Sequence, residues 1–230
     1  MATHDVVSAV FPREVTERDE IGMAVGKAID TALSRYSHEA SRGRRPGVSA
    51  MVALGLEEFD ELARDADLAL AGTDRAEVER QLSGVVRAFR SSVLFGLERP
   101  RSRLILIGET VGVYAQPDFW DRRSTFYEMK SYRTVPPSPE VALQVALFSL
   151  AFPGLRAVLV GFDRHANPVA VRVGEVAAPD EGERDRILRL AFECATQHGT
   201  DKVLEFIDAP VVRYELPPGP VPGADPGLPR

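Results

Sequence analysis

Apolar positions recur at helical spacing through the first hundred residues and then switch to short alternating runs. From Glu17 to Tyr36, Ile21, Val25, Ile29 and Leu33 repeat every four residues, with Ala28, Ala32 and Tyr36 on the adjoining stripe, which predicts an amphipathic helix. Thr16 and Asp19 make a capping box for it, with Asp in the place Glu more often takes. Gly26 and Asp30 lie one turn apart on a neighbouring face, and a mid-helix glycine costs about 1 kcal/mol relative to alanine, so another backbone is expected to pass close to Gly26. Val48 to Ala71 reads as one or two more helices. Thr73 reads as the cap of another, along which Val78, Leu82, Val85, Val86, Phe89, Val93 and Leu94 keep a stripe to about Leu97. Residues 1–16, broken at Phe11-Pro12, read as an irregular lead-in.

The second half reads as a sheet with two helices. Arg103–Ile107, Thr110–Ala115, Thr125–Tyr132, Leu155–Phe162, Val169–Val176 and Val211–Leu216 are predicted strands, with a late helical turn at Val203–Ile207. Ser138, Pro139 and Glu140 supply a cap, a first-turn proline and a favourable charge for a helix from Pro139 to Phe152. That helix is apolar nearly all round, so it must be buried on most sides, and Gln144 in its middle needs partners. Asp180 to His198 is amphipathic. The expected fold class is α/β: a central mixed β-sheet flanked by helices, with a helical subregion at 37–97 before the core strands. Residues 1–216 are expected to form a single domain, and the Pro- and Gly-rich stretch 217–230 a disordered tail.

Composition narrows the function. The chain has 230 residues, 44% of them hydrophobic, enough for a substantial core. No run of about 18 apolar residues occurs, so no membrane span is expected. The N-terminus lacks a basic segment followed by an apolar stretch, so no secretory signal is expected and the cytoplasm is the simplest compartment. Cys194 is the only cysteine, which excludes an internal disulfide and a four-cysteine metal or iron–sulfur site. His4, His38, His165 and His198 are scattered, and no phosphate-binding glycine loop or nucleophile-elbow motif is present. A net charge of −6 argues against coating nucleic acid by charge alone, but the arginines cluster locally: Arg42, Arg44 and Arg45; Arg99, Arg101 and Arg103; Arg122 and Arg123. Lysine is rare beside arginine, only Lys27, Lys130 and Lys202, so a lysine inside a strand suggests chemistry that arginine cannot do.

Lys130 lies in the segment with the most chemistry, Asp118 to Lys130. Alternation in a strand puts Glu128 and Lys130 on one face and Tyr127 and Met129 on the other, and Asp118 can meet the first pair across a polar turn at 121–124. Two carboxylates and an ammonium make either a small-cation site with a cationic group beside it or a cross-strand ion pair on a solvated face.

Taken together, Gly26-Lys-Ala-Ile-Asp30, Pro117-Asp118, Glu128-Met129-Lys130 and Gln144-Val-Ala-Leu-Phe148 resemble the motifs of the PD-(D/E)XK nuclease superfamily, specifically its RecB-like branch, which includes CRISPR-associated exonucleases. The resemblance spans roughly Ile21 to His198 and includes Glu98, placed like a glutamate before the first core strand. Asp30 stands where the branch has His, and Phe148 where it has Tyr; the iron–sulfur cysteines are absent. The resemblance implies a restriction-endonuclease-like fold and metal-dependent hydrolysis of DNA phosphodiesters in repair or defence. It implies Mg²⁺ or Mn²⁺ held by Asp118 and Glu128 with the Met129 carbonyl, Asp30 replacing the histidine, Lys130 orienting or deprotonating water, and Gln144 positioning the lysine or the strand. DNA is the expected partner, with Arg42, Arg44, Arg45, Tyr132 and Arg133 as candidate contacts. A helicase, another repair or defence protein, or a second copy of the chain are the candidate protein partners. A catalytically degenerate DNA-binding or assembly module and a sequence-specific endonuclease are the alternatives.

Overall fold

The computed structural model describes residues 1–12, 16–65, 75–132, 135–198 and 209–216. Thr73, Arg133, Val203–Ile207 and the tail from 217 lie outside them. The helices are α1 (Thr3–Val10), α2 (Glu17–Ser41), α3 (Val48–Asp65), α4 (Arg75–Arg90), α5 (Pro139–Ala151) and α6 (Glu181–His198). The strands are β1 (Arg103–Ile107), β2 (Val111–Ala115), β3 (Phe119–Trp120), β4 (Thr125–Lys130), β5 (Arg156–Asp163), β6 (Ala170–Val176) and β7 (Val211–Tyr214). The protein is α/β, with helices on the faces of mixed sheets and, among the described residues, four helices, α1–α4, before the first sheet strand. Among the described residues, no helix is long and apolar enough to cross a membrane.

The strands divide into two hydrogen-bonded sheets, ordered β2-β1-β7 and β3-β4-β5-β6. In the larger one, β4 and β5 run parallel, joined by the crossover helix α5, while β3 and β6 flank them antiparallel. Each face of this sheet meets its own core. Phe126, Ala157 and Leu159 point to a cluster containing α1, α5, α6 and the inner residues of β1 and β2. Phe119, Met129, Val160 and Phe162 point to a second cluster built from α2, α3 and α4. Fully burying each such phenylalanine contributes about 1.5–3 kcal/mol, and Phe89 on α4 gathers Tyr36, Phe95, Phe119 and Phe162 around it.

Two of the three expected caps, Thr16 and Ser138, form. The Thr16 hydroxyl accepts from the Asp19 N–H while the Asp19 carboxylate accepts from the Thr16 N–H, and the Ser138 hydroxyl accepts from the Val141 N–H. Two expectations are corrected. The lead-in is not irregular: α1 forms within it, the N–H of its cap residue Ala2 donating to Asp5 Oδ2, and Val6 is fully buried. Eight residues are too few for helix propensity alone to hold a helix in water; packing of α1 against α5 and α6 supplies the rest. Nor does a backbone press on Gly26, where an added Cβ would meet the Ser131 hydroxyl oxygen at an ordinary 3.6 Å. The close approach is at Gly55 on α3, where a Cβ would sit 2.8 Å from Leu82 and 3.1 Å from the Ala28 carbonyl oxygen of α2.

Candidate active site

Strand alternation places the central pair. Phe126, Glu128 and Lys130 share the face of β4 turned to α5, so Glu128 and Lys130 leave the strand beside Gln144. Lys130 Nζ donates to Glu128 Oε1 at 2.6 Å and to Gln144 Oε1 at 2.8 Å. An ammonium has three N–H donors, so among the described residues one remains uncommitted. The Lys130 side chain is 17% exposed and that of Glu128 only 4%, which rules out a pair on a solvated sheet face. Phe148, one turn beyond Gln144, packs edge-on against Phe126, its ring wholly part of the core.

Asp118 reaches this pair through a tight reversal. Asp121 Oδ1 accepts from the backbone N–H groups of Arg123, Ser124 and Thr125, and Arg122 takes a positive φ. The turn sets β3 against β4 with Phe119 opposite Tyr127, and continuing that register by one residue brings Asp118 opposite Glu128. Asp118 Oδ2 is fixed by the Met129 N–H at 2.8 Å. Its carboxyl is pushed well above the ordinary aspartate range, first by burial and then by the negative charges of Glu128 and Asp30. Lys130 and the Met129 N–H offset only part of this. Lys130 is held above its ordinary range: burial works against the ammonium, but Glu128 and Asp118 outweigh it. At neutral pH it is therefore a cation that donates, not a base that accepts.

Asp30 comes in from α2 on the other side. Its Oδ1 accepts from the Ser34 hydroxyl at 3.4 Å, and its Oδ2 lies 3.9 Å from Lys27 and 3.8 Å from Arg99. Arg99 also reaches Asp118 Oδ1 at 3.5 Å, linking the two carboxylates. Arg164, buried at the end of β5, donates to the Gly22 carbonyl and to the Ser131 hydroxyl, each at 3.3 Å, and so ties α2 to the residue after Lys130. Arg99, Arg164, Ser131 and Ser34 were not expected at the site. Arg99 belonged to a visible arginine cluster; the others carried no local pattern.

A divalent cation fits part of this arrangement. Glu128 Oε2 is buried without a hydrogen-bond partner among the described residues, the Asp118 carboxyl feels uncompensated negative charge, and the donors are all oxygen, as Mg²⁺ or Mn²⁺ prefers. Mg²⁺ is commonly held by one or two carboxylates with several retained waters, which Asp118 and Glu128 can provide, with the Met129 carbonyl as the further candidate. Asp30 stands apart from that pair. Among the described residues, no three His, Cys, Asp or Glu side chains are gathered closely enough to hold a metal ion.

The surroundings are basic. A cavity of about 350 Å³ runs along α2 past Ser34, Ser37, His38 and Arg42 to Glu98 and Arg99. A second of about 490 Å³ continues from Glu98 and Arg99 past Arg101, Arg103, Trp120 and Arg122. Of the expected DNA contacts, Arg42 lines the first cavity, Arg44 pairs with Glu39, Arg45 is exposed and Tyr132 is 46% exposed; Arg133 lies outside the described residues. Glu98 joins the site's edge through its ion pair with Arg122.

Replacing Gln144 with Leu removes the neutral acceptor of the Lys130 ammonium. Thermal unfolding is expected to give a loss of about 1–3 kcal/mol, the cost of an unsatisfied charged donor.

No protein-family model matches the chain, and no curated protein matches it. Among solved structures the chain is similar to the crystal structure of SSO0001, at a TM-score of 0.40 and 14% identity, over 86% of this chain and 75% of that one. The site therefore stands on its own geometry.

Proposed function

We propose that the protein is a divalent-metal-dependent deoxyribonuclease of the RecB-like PD-(D/E)XK type. The observation that carries the reading is the union of Asp118, just before β3, with Glu128 and Lys130 on the adjoining β4, and with Gln144 delivered from the crossover helix between the two parallel strands. The motif order of the sequence thus corresponds to one place in the fold. Asp118 and Glu128 would hold Mg²⁺ or Mn²⁺, and Asp30 would add negative charge from the far side. When bound, the cation would polarise a phosphoryl oxygen and lower the pKa of water.

The chain's own groups then have distinct tasks. The free N–H of Lys130 donates to an oxygen on which charge builds as the phosphodiester breaks. Because Lys130 is an ammonium in this state, its role is electrostatic and orienting, with no proton taken from water. Gln144 and Glu128 hold Nζ by two hydrogen bonds, so the third donor points in a set direction without reorganisation. The arginine-lined cavities on either side of Arg99 would take the flanking phosphates.

Incubating the pure protein with linear, circular and single-stranded DNA, with and without Mn²⁺, tests the reading. The expected result is Mn²⁺-dependent loss of DNA with free ends and survival of closed circles. Cleavage that persists after both Asp118→Ala and Lys130→Ala would overturn the site. DNA binding without cleavage favours the degenerate module, and discrete bands from mixed duplex favour a sequence-specific endonuclease.

A further inference from the structure

Arg99 sits where a second cation belongs. The backbone just before it is pinned, because Glu98 pairs with Trp120 in an isolated bridge and its carbonyl accepts from the Trp120 N–H at 2.9 Å. From that anchor the side chain reaches Asp118 Oδ1 at 3.5 Å and Asp30 Oδ2 at 3.8 Å. Charge-assisted hydrogen bonds are shorter, about 2.7–2.9 Å, so the guanidinium is held by attraction to two carboxylates and not by a fitted fork. It is also 42% exposed, whereas Lys130 is enclosed. Asp118 and Glu128 thus face one enclosed cation, Lys130, and one loosely held one, Arg99, while Asp30 is shared between Arg99 and the exposed Lys27. The loose one stands at the boundary shared by the two cavities, with His38 and Arg42 on one side and Arg101, Arg103 and Arg122 on the other.

We propose that Arg99 is an internal counter-ion that a divalent cation displaces, and that the released guanidinium then serves as a ligand for backbone phosphate in the adjoining cavities. This rests on the metal-dependent reading of the Asp118–Glu128 site. Arg99 has two tasks in this scheme: in the empty site it quiets the repulsion between Asp30 and Asp118, and in the loaded site it binds the polyanion directly. Metal and polyanion then assist each other's binding. Each favours the arrangement with Arg99 withdrawn from the carboxylates, and the coupling must be equal in both directions. A nuclease built this way stays weakly loaded with metal until DNA arrives.

Calorimetric titration with Mn²⁺, alone and with a saturating nuclease-resistant phosphorothioate oligothymidylate, tests the proposal on the wild type, Arg99→Gln and Arg99→Lys. Without the oligonucleotide, Arg99→Gln is expected to bind Mn²⁺ about 3- to 10-fold more tightly than wild type, the scale of one partly exposed charge a few ångströms away. Arg99→Lys, which keeps the charge, is expected to stay near wild type. The oligonucleotide is expected to tighten Mn²⁺ binding in wild type and to do so less in Arg99→Gln. Equal or weaker Mn²⁺ affinity in Arg99→Gln, or equal enhancement in both proteins, overturns the role of Arg99 and leaves the metal site standing. Absence of Mn²⁺ binding in all three proteins overturns the metal reading and this proposal together.

Discussion

Lys130→Met is expected to abolish DNA cleavage and to destabilise the protein by about 3 kcal/mol, the low end for breaking a buried ion pair from one side. The low end applies because the lysine is partly exposed. At about 2–4 °C per kcal/mol in a domain of this size, the thermal midpoint falls by roughly 6–12 °C. The physical reason is asymmetric. The substitution removes one charge but leaves Glu128, 4% exposed and with one oxygen already unpartnered, beside Asp118. Cleavage should fall by about 10²- to 10³-fold, the scale of removing a donor aimed at developing charge. A second variant separates the two effects. Adding Glu128→Gln to Lys130→Met removes the orphaned charge and should recover much of the stability, while cleavage stays absent. A double variant as unstable as the single one would show that the ion pair is not what Lys130 contributes to folding.

Asp118→Asn is expected to abolish cleavage equally and to act on stability in the opposite direction. Burial and the charges of Glu128 and Asp30 raise the proton affinity of Asp118 in the folded protein above its unfolded value of about 3.9. A group raised in this way contributes stability that is fully present below the unfolded pKa and is lost as pH rises through the folded pKa. Asparagine is neutral throughout and can still accept from the Met129 N–H. The variant should therefore match wild type in acid and melt at a higher temperature than wild type once the pH exceeds the folded pKa. Mn²⁺ should raise the melting temperature of wild type at high pH and leave Asp118→Asn unmoved. Equal melting temperatures across the whole pH range would mean that Asp118 carries no strain, and the electrostatic account of the site would fail. Sites that bind or catalyse commonly retain such local conflict at some cost in stability.

Opposite signs for these two substitutions would distinguish the proposed site from a structural ion pair. In a simple buried pair, losing either partner is destabilising. Here Glu128 has Lys130 at 2.6 Å whereas Asp118 has, among the described residues, only Arg99 at 3.5 Å, so removing negative charge at Asp118 relieves the fold and removing Lys130 burdens it.

Much of this arrangement was readable in the chain itself, because it depends on local periodicity. Alternation along 125–130 put Glu128 and Lys130 on one face, and the all-round apolar pattern of 139–152 demanded a buried helix with a partner for Gln144; both follow from side-chain direction in regular structure. The caps at Thr16 and Ser138 were equally legible, since capping is decided within four residues. Other features depended on contacts between distant parts of the chain. Helix α1 exists because α5 and α6 cover it, and β7 lies parallel to β1 although about a hundred residues separate them. The division of the strands into two sheets follows from such pairings and not from the strands' own composition. Arg99 and Arg164 are long side chains leaving a connector and a strand end, where no period constrains direction. Only packing could bring one to Asp30 and Asp118 and the other to Gly22 and Ser131. Residue types and spacing along the chain thus picked out the groups proposed to carry the chemistry, whereas tertiary packing decided how their charges are balanced, because electrostatic balance depends on distances in space and on burial.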